Sequence, residues 1–230
     1  MRQALLLLAD SRLPAGAHAH SGGVAPAVDA GLVDHDLTLV TDFLRGRLHT
    51  AGLLAAAIAA RACHLAGTHV PEPAPVGAAA VWAELDGEVD ARTPAPEQRK
   101  VSRAQGRALL RVARGAFPHP GYAALGTHPH HPIALGVAVH AAGGTPPEAA
   151  SLAVAAAISG PASAAVRLLG LDPLALTAAH AALAPMADAV VADATRYADQ
   201  PSDALPAPSA PLLDLLAQAH ARSEVRLFAS

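Results

Sequence analysis

One cysteine, Cys63, stands in 230 residues. The chain therefore closes no internal disulfide and builds no cysteine-rich zinc site, which suits a reducing compartment. Aromatics are scarce too, with three Phe, two Tyr and one Trp, too few for the stacking platforms that single-stranded nucleic acid requires. Positive charge is not in excess: the formal net charge is −3, so the basic field that attracts nucleic acid is also missing. No nucleic-acid partner is expected. The longest apolar stretch, Ala51 to Ala60, is about half of a bilayer span and mostly alanine, so no segment is expected to cross a membrane. The opening MRQALLLLADSRLPAGA mimics a signal peptide, but its leucine run is short and Asp10 follows directly, so a cytoplasmic location is expected. No phosphate loop, Gly-x-Ser-x-Gly elbow or dinucleotide fingerprint occurs. Nor is a pair of acids expected on one helix face.

Alanine fills the space left by these absences, with 60 residues, and arginine supplies 15 of the 16 basic residues. Alanine is the best helix former, and strand-favouring β-branched and aromatic residues are few, so the expected fold is all-α, a single-domain bundle of about 8–10 helices over 1–230. Asp36 caps a helix whose Leu37, Val40, Phe43, Leu44 and Leu48 recur at helical spacing, and Gly52 bends it or separates a second helix, Leu53 to Leu65. PEPAPVG then reads as a loop, followed by a pattern through Val81, Trp82 and Leu85 and a helix from about Glu97 to Ala113. The proline- and glycine-rich stretch 115–132 reads as a long flexible loop. Helices are expected over Ile133 to Ala142 and Pro147 to Leu168, with Gly160-Pro161 kinking or splitting the latter. Asp172-Pro173 opens one further helix ending near Asp199; 200–210 reads as a linker, and a last helix precedes a tail over 221–230. Burying an alanine gains about 0.8 kcal/mol against about 1.5–3 for Leu or Phe, so a core this rich in alanine gains from a partner surface. An oligomer or obligate complex member is expected.

Histidine is the most conspicuous ligand type, in His18-Ala19-His20 and His128-Pro129-His130-His131. These loop residues are weak candidates for metal, because neighbouring loop histidines seldom share one rigid coordination sphere and no His-Glu-x-x-His accompanies them. Cys63 reads as a small buried residue. Ser21, followed by Gly22-Gly23, reads as a cap leading into a helix from Val24 to Ala30, with a nucleophile beside His20 as the remote alternative. Without a convergent acid, base and nucleophile, no catalytic residue is expected. On the helix from Glu97, Arg99, Arg103, Arg107, Arg111 and Arg114 form one stripe, which by itself reads as a solvated face; because like charges in line repel, acids of a partner or of the fold itself are the other reading.

Four blocks of sequence, taken together, resemble one family. LPAGAHAHSGGVAPAVDAGLV, SRAQGRALLRVA, AAVRLLGLD and the ending PLLDLLAQAHARSEVRLFAS are similar, in order, to segments of the urease accessory protein UreF family. The resemblance implies an all-α homodimer that is not an enzyme and needs no cofactor of its own. It would bridge UreD (also called UreH) and the GTPase UreG, which binds the GTP, in delivering nickel to apo-urease. The motif positions it carries over are Pro14, Gly16, Ser21, Gly23, Ser102, Gly106, Arg107, Ala165, Arg167, His220, Arg226, Leu227, Phe228 and Ser230. With Arg103 and Arg111 of the stripe, these are the expected partner-binding residues, Ser102, Gly106 and Ala165 excepted. The sequence departs from the family at His18, at Ala25 and over Leu169 to Pro173. A direct nickel or zinc carrier using His18, His20, His128, His130 and His131 is the alternative.

Overall fold

Six helices carry a proline at one of their first two positions, where its missing N–H is no loss and its fixed φ suits the turn. The computed structural model describes residues 3–10, 12–15, 20–68 and 78–222. Among them lie eleven α-helices and no β-strand, as an alanine-rich, β-poor composition requires.

Short helices α1 (Gln3–Ala9) and α2 (Val24–Asp29) come first. Asp36 accepts a hydrogen bond from the Thr38 backbone N–H at 2.8 Å and so caps α3 (Leu37–Arg47). A π-helical turn, Leu48–Gly52, joins α3 to α4 (Leu53–Thr68). Then come α5 (Ala78–Ala91), α6 (Pro96–Ala116), α7 (His131–Ala141) and α8 (Pro146–Leu169). Thr145 and Glu148 form a reciprocal capping box at the start of α8. The chain ends its described course with α9 (Pro173–Ala182), α10 (Ala184–Thr195) and α11 (Pro211–Ala221).

Helix α4 is the centre, packed against α7, α8 and α10. Its alanines, together with Gly136 of α7, let backbones approach: a Cβ on Gly136 would lie 2.3 Å from the Ala59 carbonyl oxygen. Cys63 is buried here, as expected, and burial pushes its thiol up to about 12.

The structure corrects several expected boundaries. The helix expected from Asp172 to Asp199 is two, α9 and α10, bent by 48°, because Pro185 has no N–H to continue the α9 ladder. Stretch 115–132 contains a 3-10 helix, Pro120–Leu125, that buries Tyr122, and its end already belongs to α7. Within 200–210, Ser202 and Leu205 are buried, and Arg92 donates to the carbonyls of Leu205 and Asp203 at 3.1 and 2.8 Å. Because the π-turn keeps α3 and α4 continuous, Leu37–Thr68 forms 32 helical residues; it and Pro146–Leu169 are long and apolar enough to cross a membrane. In the fold 61% and 56% of their most apolar windows are buried.

Candidate functional site

Two places in the fold gather the motif residues. The first lies where α5, α6 and the start of α7 meet. Asp86 and Asp90 stand four residues apart on α5, which puts both carboxylates on one helix face; this overturns the expectation that no such pair exists. The two acids went unnoticed because their partners come from other elements. Arg103 of α6 reaches across and forks onto Asp86, with nitrogen–oxygen distances of 3.1 and 2.7 Å. It also donates to Asp90 at 2.7 Å and to the His128 carbonyl at 3.0 Å. Arg103 is thus turned inward, and the hydrogen bond it donates to Asp86 leads the effects that raise its pKa.

His130, fully buried at the N-cap of α7, joins the same cluster. Its Nε2 lies 2.9 Å from Asp90 Oδ1 and its Nδ1 lies 3.0 Å from Ser102 Oγ. Ser102 Oγ accepts from the His131 backbone N–H at 3.3 Å. One assignment satisfies every group: the Ser102 hydroxyl donates to Nδ1, and Nε2–H donates to Asp90. Burial lowers the His130 pKa against the pull of Asp90, so the ring is a neutral strut. For Asp90, burial acts upward, but the bonds from His130 and Arg103 outweigh it and hold the carboxyl below its usual range. Gly106, one turn beyond Ser102, lies under the same loop. A Cβ there would stand 2.0 Å from the Pro129 carbonyl oxygen, so Gly106 is what admits the chain entering α7.

Asp86, Asp90 and His130 offer three donor atoms within 4.8 Å of one another, a set able to hold a metal ion. Arg103 already supplies a positive charge to both of its carboxylates. A cleft of about 310 Å³ opens beside it, lined by Trp82, Asp86, Arg103, Thr127, His128 and Ile133 among others.

The second place is the turn before α2. Gly23, not the expected Ser21, is the N-cap of α2; Ser21 is buried two residues earlier, and its Oγ accepts from the Ala25 N–H at 3.2 Å. Gly22 and Gly23 have φ of +59° and +95°, a region that suits glycine alone. The turn is enclosed by Pro161 of α8, Arg47 and Phe43 of α3 and Leu213 of α11.

The remaining expected residues are dispersed. Arg107 and Arg111 are exposed and form no hydrogen bond or ion pair among the described residues, whereas Arg99 donates to the Thr93 and Pro94 carbonyls and Arg114 to that of Tyr122. The stripe is therefore divided: Arg99 and Arg103 serve the fold and Arg107 and Arg111 face outward. Pro14 is exposed. Arg167 is exposed and donates to the Ser163 carbonyl at 3.3 Å. His220 is buried, 3.8 Å from Asp29. Among the described histidines, His128 is exposed beside Thr127 and His130 points to α5. Burial and then nearby His20 push His131 down to about 4. Gly16, His18, Arg226, Leu227, Phe228 and Ser230 lie outside the described residues.

Comparison with known proteins points to the same family as the four sequence blocks. A family model described as UreF matches residues 35–184. The chain is 49% identical over 226 residues to a protein named Urease accessory protein UreF from Mycobacterium sp. (strain JLS), covering 98% of this chain and 97% of that one. It is 44% identical over 226 residues to the protein of that name from Mycolicibacterium vanbaalenii and 43% identical over 227 to that from Mycobacterium tuberculosis. Coverage in both is again 98% and 97%.

Proposed function

The chain belongs to the urease accessory protein UreF family, and from that premise we propose that it is a non-catalytic scaffold in urease maturation. It works in the cytoplasm as a homodimer, bridging UreD/UreH and the GTPase UreG so that nickel reaches apo-urease, and modulates GTP hydrolysis on UreG. Nickel is the cargo of the complex and GTP belongs to the partner; the chain itself requires no cofactor, nucleic acid or membrane.

The observation that carries this reading is how the reactive groups are used. Asp86, Asp90, Arg103, His130 and Ser102 are spent on one another, while Arg107 and Arg111 face outward. Fixed struts inside and open donors outside favour holding a partner over turning over a substrate. Exposed Leu212 and Leu215 of α11 add apolar surface, of the kind that interface cores use.

Copurification tests the proposal. The chain is expected to retain UreD/UreH, alone or with UreG, and a chain that retains neither contradicts it. A direct nickel or zinc carrier is the second reading, favoured by the donor geometry of Asp86, Asp90 and His130. Calorimetry with nickel separates them: the scaffold predicts weak, graded heats, whereas a saturable site lost in His130→Ala makes the chain a carrier.

A further inference from the structure

Arg47, at the end of α3, mends a helix that is not its own. In α8 the Ala157 carbonyl would accept from the N–H of residue 161, but Pro161 has none. Arg47 Nε donates to that carbonyl instead, at 3.2 Å. The Ser21–Gly23 turn sits directly over this contact: a Cβ on Gly22 would lie 2.7 Å from Pro161 Cγ and 3.2 Å from Arg47 Cζ. Around Gly23, a Cβ would meet Leu213 at 3.2 Å and Phe43 at 3.4 Å, which closes an apolar rim.

Mending α8 uses one of the five guanidinium donors. Arg12, Arg45, Arg92, Arg99, Arg103 and Arg196 each lie against a carboxylate, but Arg47 forms no ion pair among the described residues. Burial pushes it down to about 10 with no acid opposing, and it remains charged at neutral pH. The residue as a whole is only partly buried. A half-buried cation without a counter-charge is unfavourable. An incoming carboxylate relieves it through a charge-assisted, two-pronged pair.

We propose that Arg47, framed by the Gly22-Gly23 turn, Pro161, Phe43 and Leu213, is the seat for an Asp or Glu side chain of a partner protein. One recessed cation on a chain of net charge −3 suits a single carboxylate better than a polyphosphate backbone, which calls for several cations. This rests on the scaffold reading and specifies the chemistry of its contact.

Pro161→Ala gives α8 its own N–H and frees Arg47 from mending, so Arg47→Gln placed in that background probes docking separately from stability. Affinity for UreD/UreH with UreG is measured by calorimetry at two salt concentrations, with helicity followed by circular dichroism. The double variant is expected to bind about tenfold or more weakly than Pro161→Ala itself, with a flatter salt dependence. Arg47→Lys should fall between them, because an ammonium cannot fork onto a carboxylate. A folded double variant that binds like Pro161→Ala, with the same salt dependence, overturns the seat and leaves the scaffold standing. A parent chain that binds neither partner removes both.

Discussion

Gly106 has no room for a methyl group, since the obstacle 2.0 Å away is backbone that cannot rotate aside. Gly106→Ala must push the chain entering α7 off α6 and with it the Ser102–His130 bond. The expected loss is about 1–3 kcal/mol or more, read as a lowered denaturant midpoint with partner affinity reduced in proportion to unfolding. Asp90→Asn should cost about 1–3 kcal/mol, because it weakens the acceptor of a buried imidazole, and urea titration reports it. His131 makes stability depend on acid: it titrates near 6.5 unfolded and at about 4 folded, so the unfolded chain binds more protons between those values. Stability from this group is complete above about pH 6.5 and falls as the pH drops toward 4. His119, His130 and His140 are also lowered and act with the same sign. His131→Gln should therefore flatten part of the fall in Tm across that window; an unchanged slope contradicts the assignment. At this scale the sequence marked Ser102, Gly106 and Arg103 without showing why. Their reason is contact between residues of α5, α6 and α7 far apart in the chain, which no local pattern encodes. Adjacent His130 and His131 look alike in sequence, yet the N-cap sends them into different surroundings.

Among elements, helix starts were the most legible, because caps and prolines act locally: Asp36 and Asp172 stand at the helix starts where their side chains predict. Asp36→Ala should cost about 1 kcal/mol, measured by thermal unfolding, through the lost bond to Thr38. Interior irregularities were less legible. Gly52 signalled a disturbance, but whether it divides or bends the helix depends on α8, whose Ala157 Cβ would lie 3.5 Å from a Cβ there. Pro161 likewise signalled a break, yet α8 runs through it, since Arg47 from a distant helix completes the ladder. Gly136→Ala should separate α4 from α7 and cost about 1–3 kcal/mol, again by denaturant titration.

Across the whole molecule, alanine sets the character. Helices approach closely and recover dispersion contacts, but each buried alanine removes little apolar area from water. Composition alone made the all-α class legible, and the order of four short motifs made the family legible. The proposed Arg47 seat was not, because it joins α3, α8, α11 and the turn before α2, and its meaning lies in the absence of a counter-charge among the described residues. A core of small residues, open arginines and exposed leucines fits the proposed scaffold, whose stability a bound partner would raise by mass action. The most direct measurement is size-exclusion chromatography with light scattering on the purified chain mixed with UreD/UreH and UreG. Co-elution as one assembly containing two copies of this chain is the predicted result; a separate monomer peak, unchanged by either partner, would contradict it.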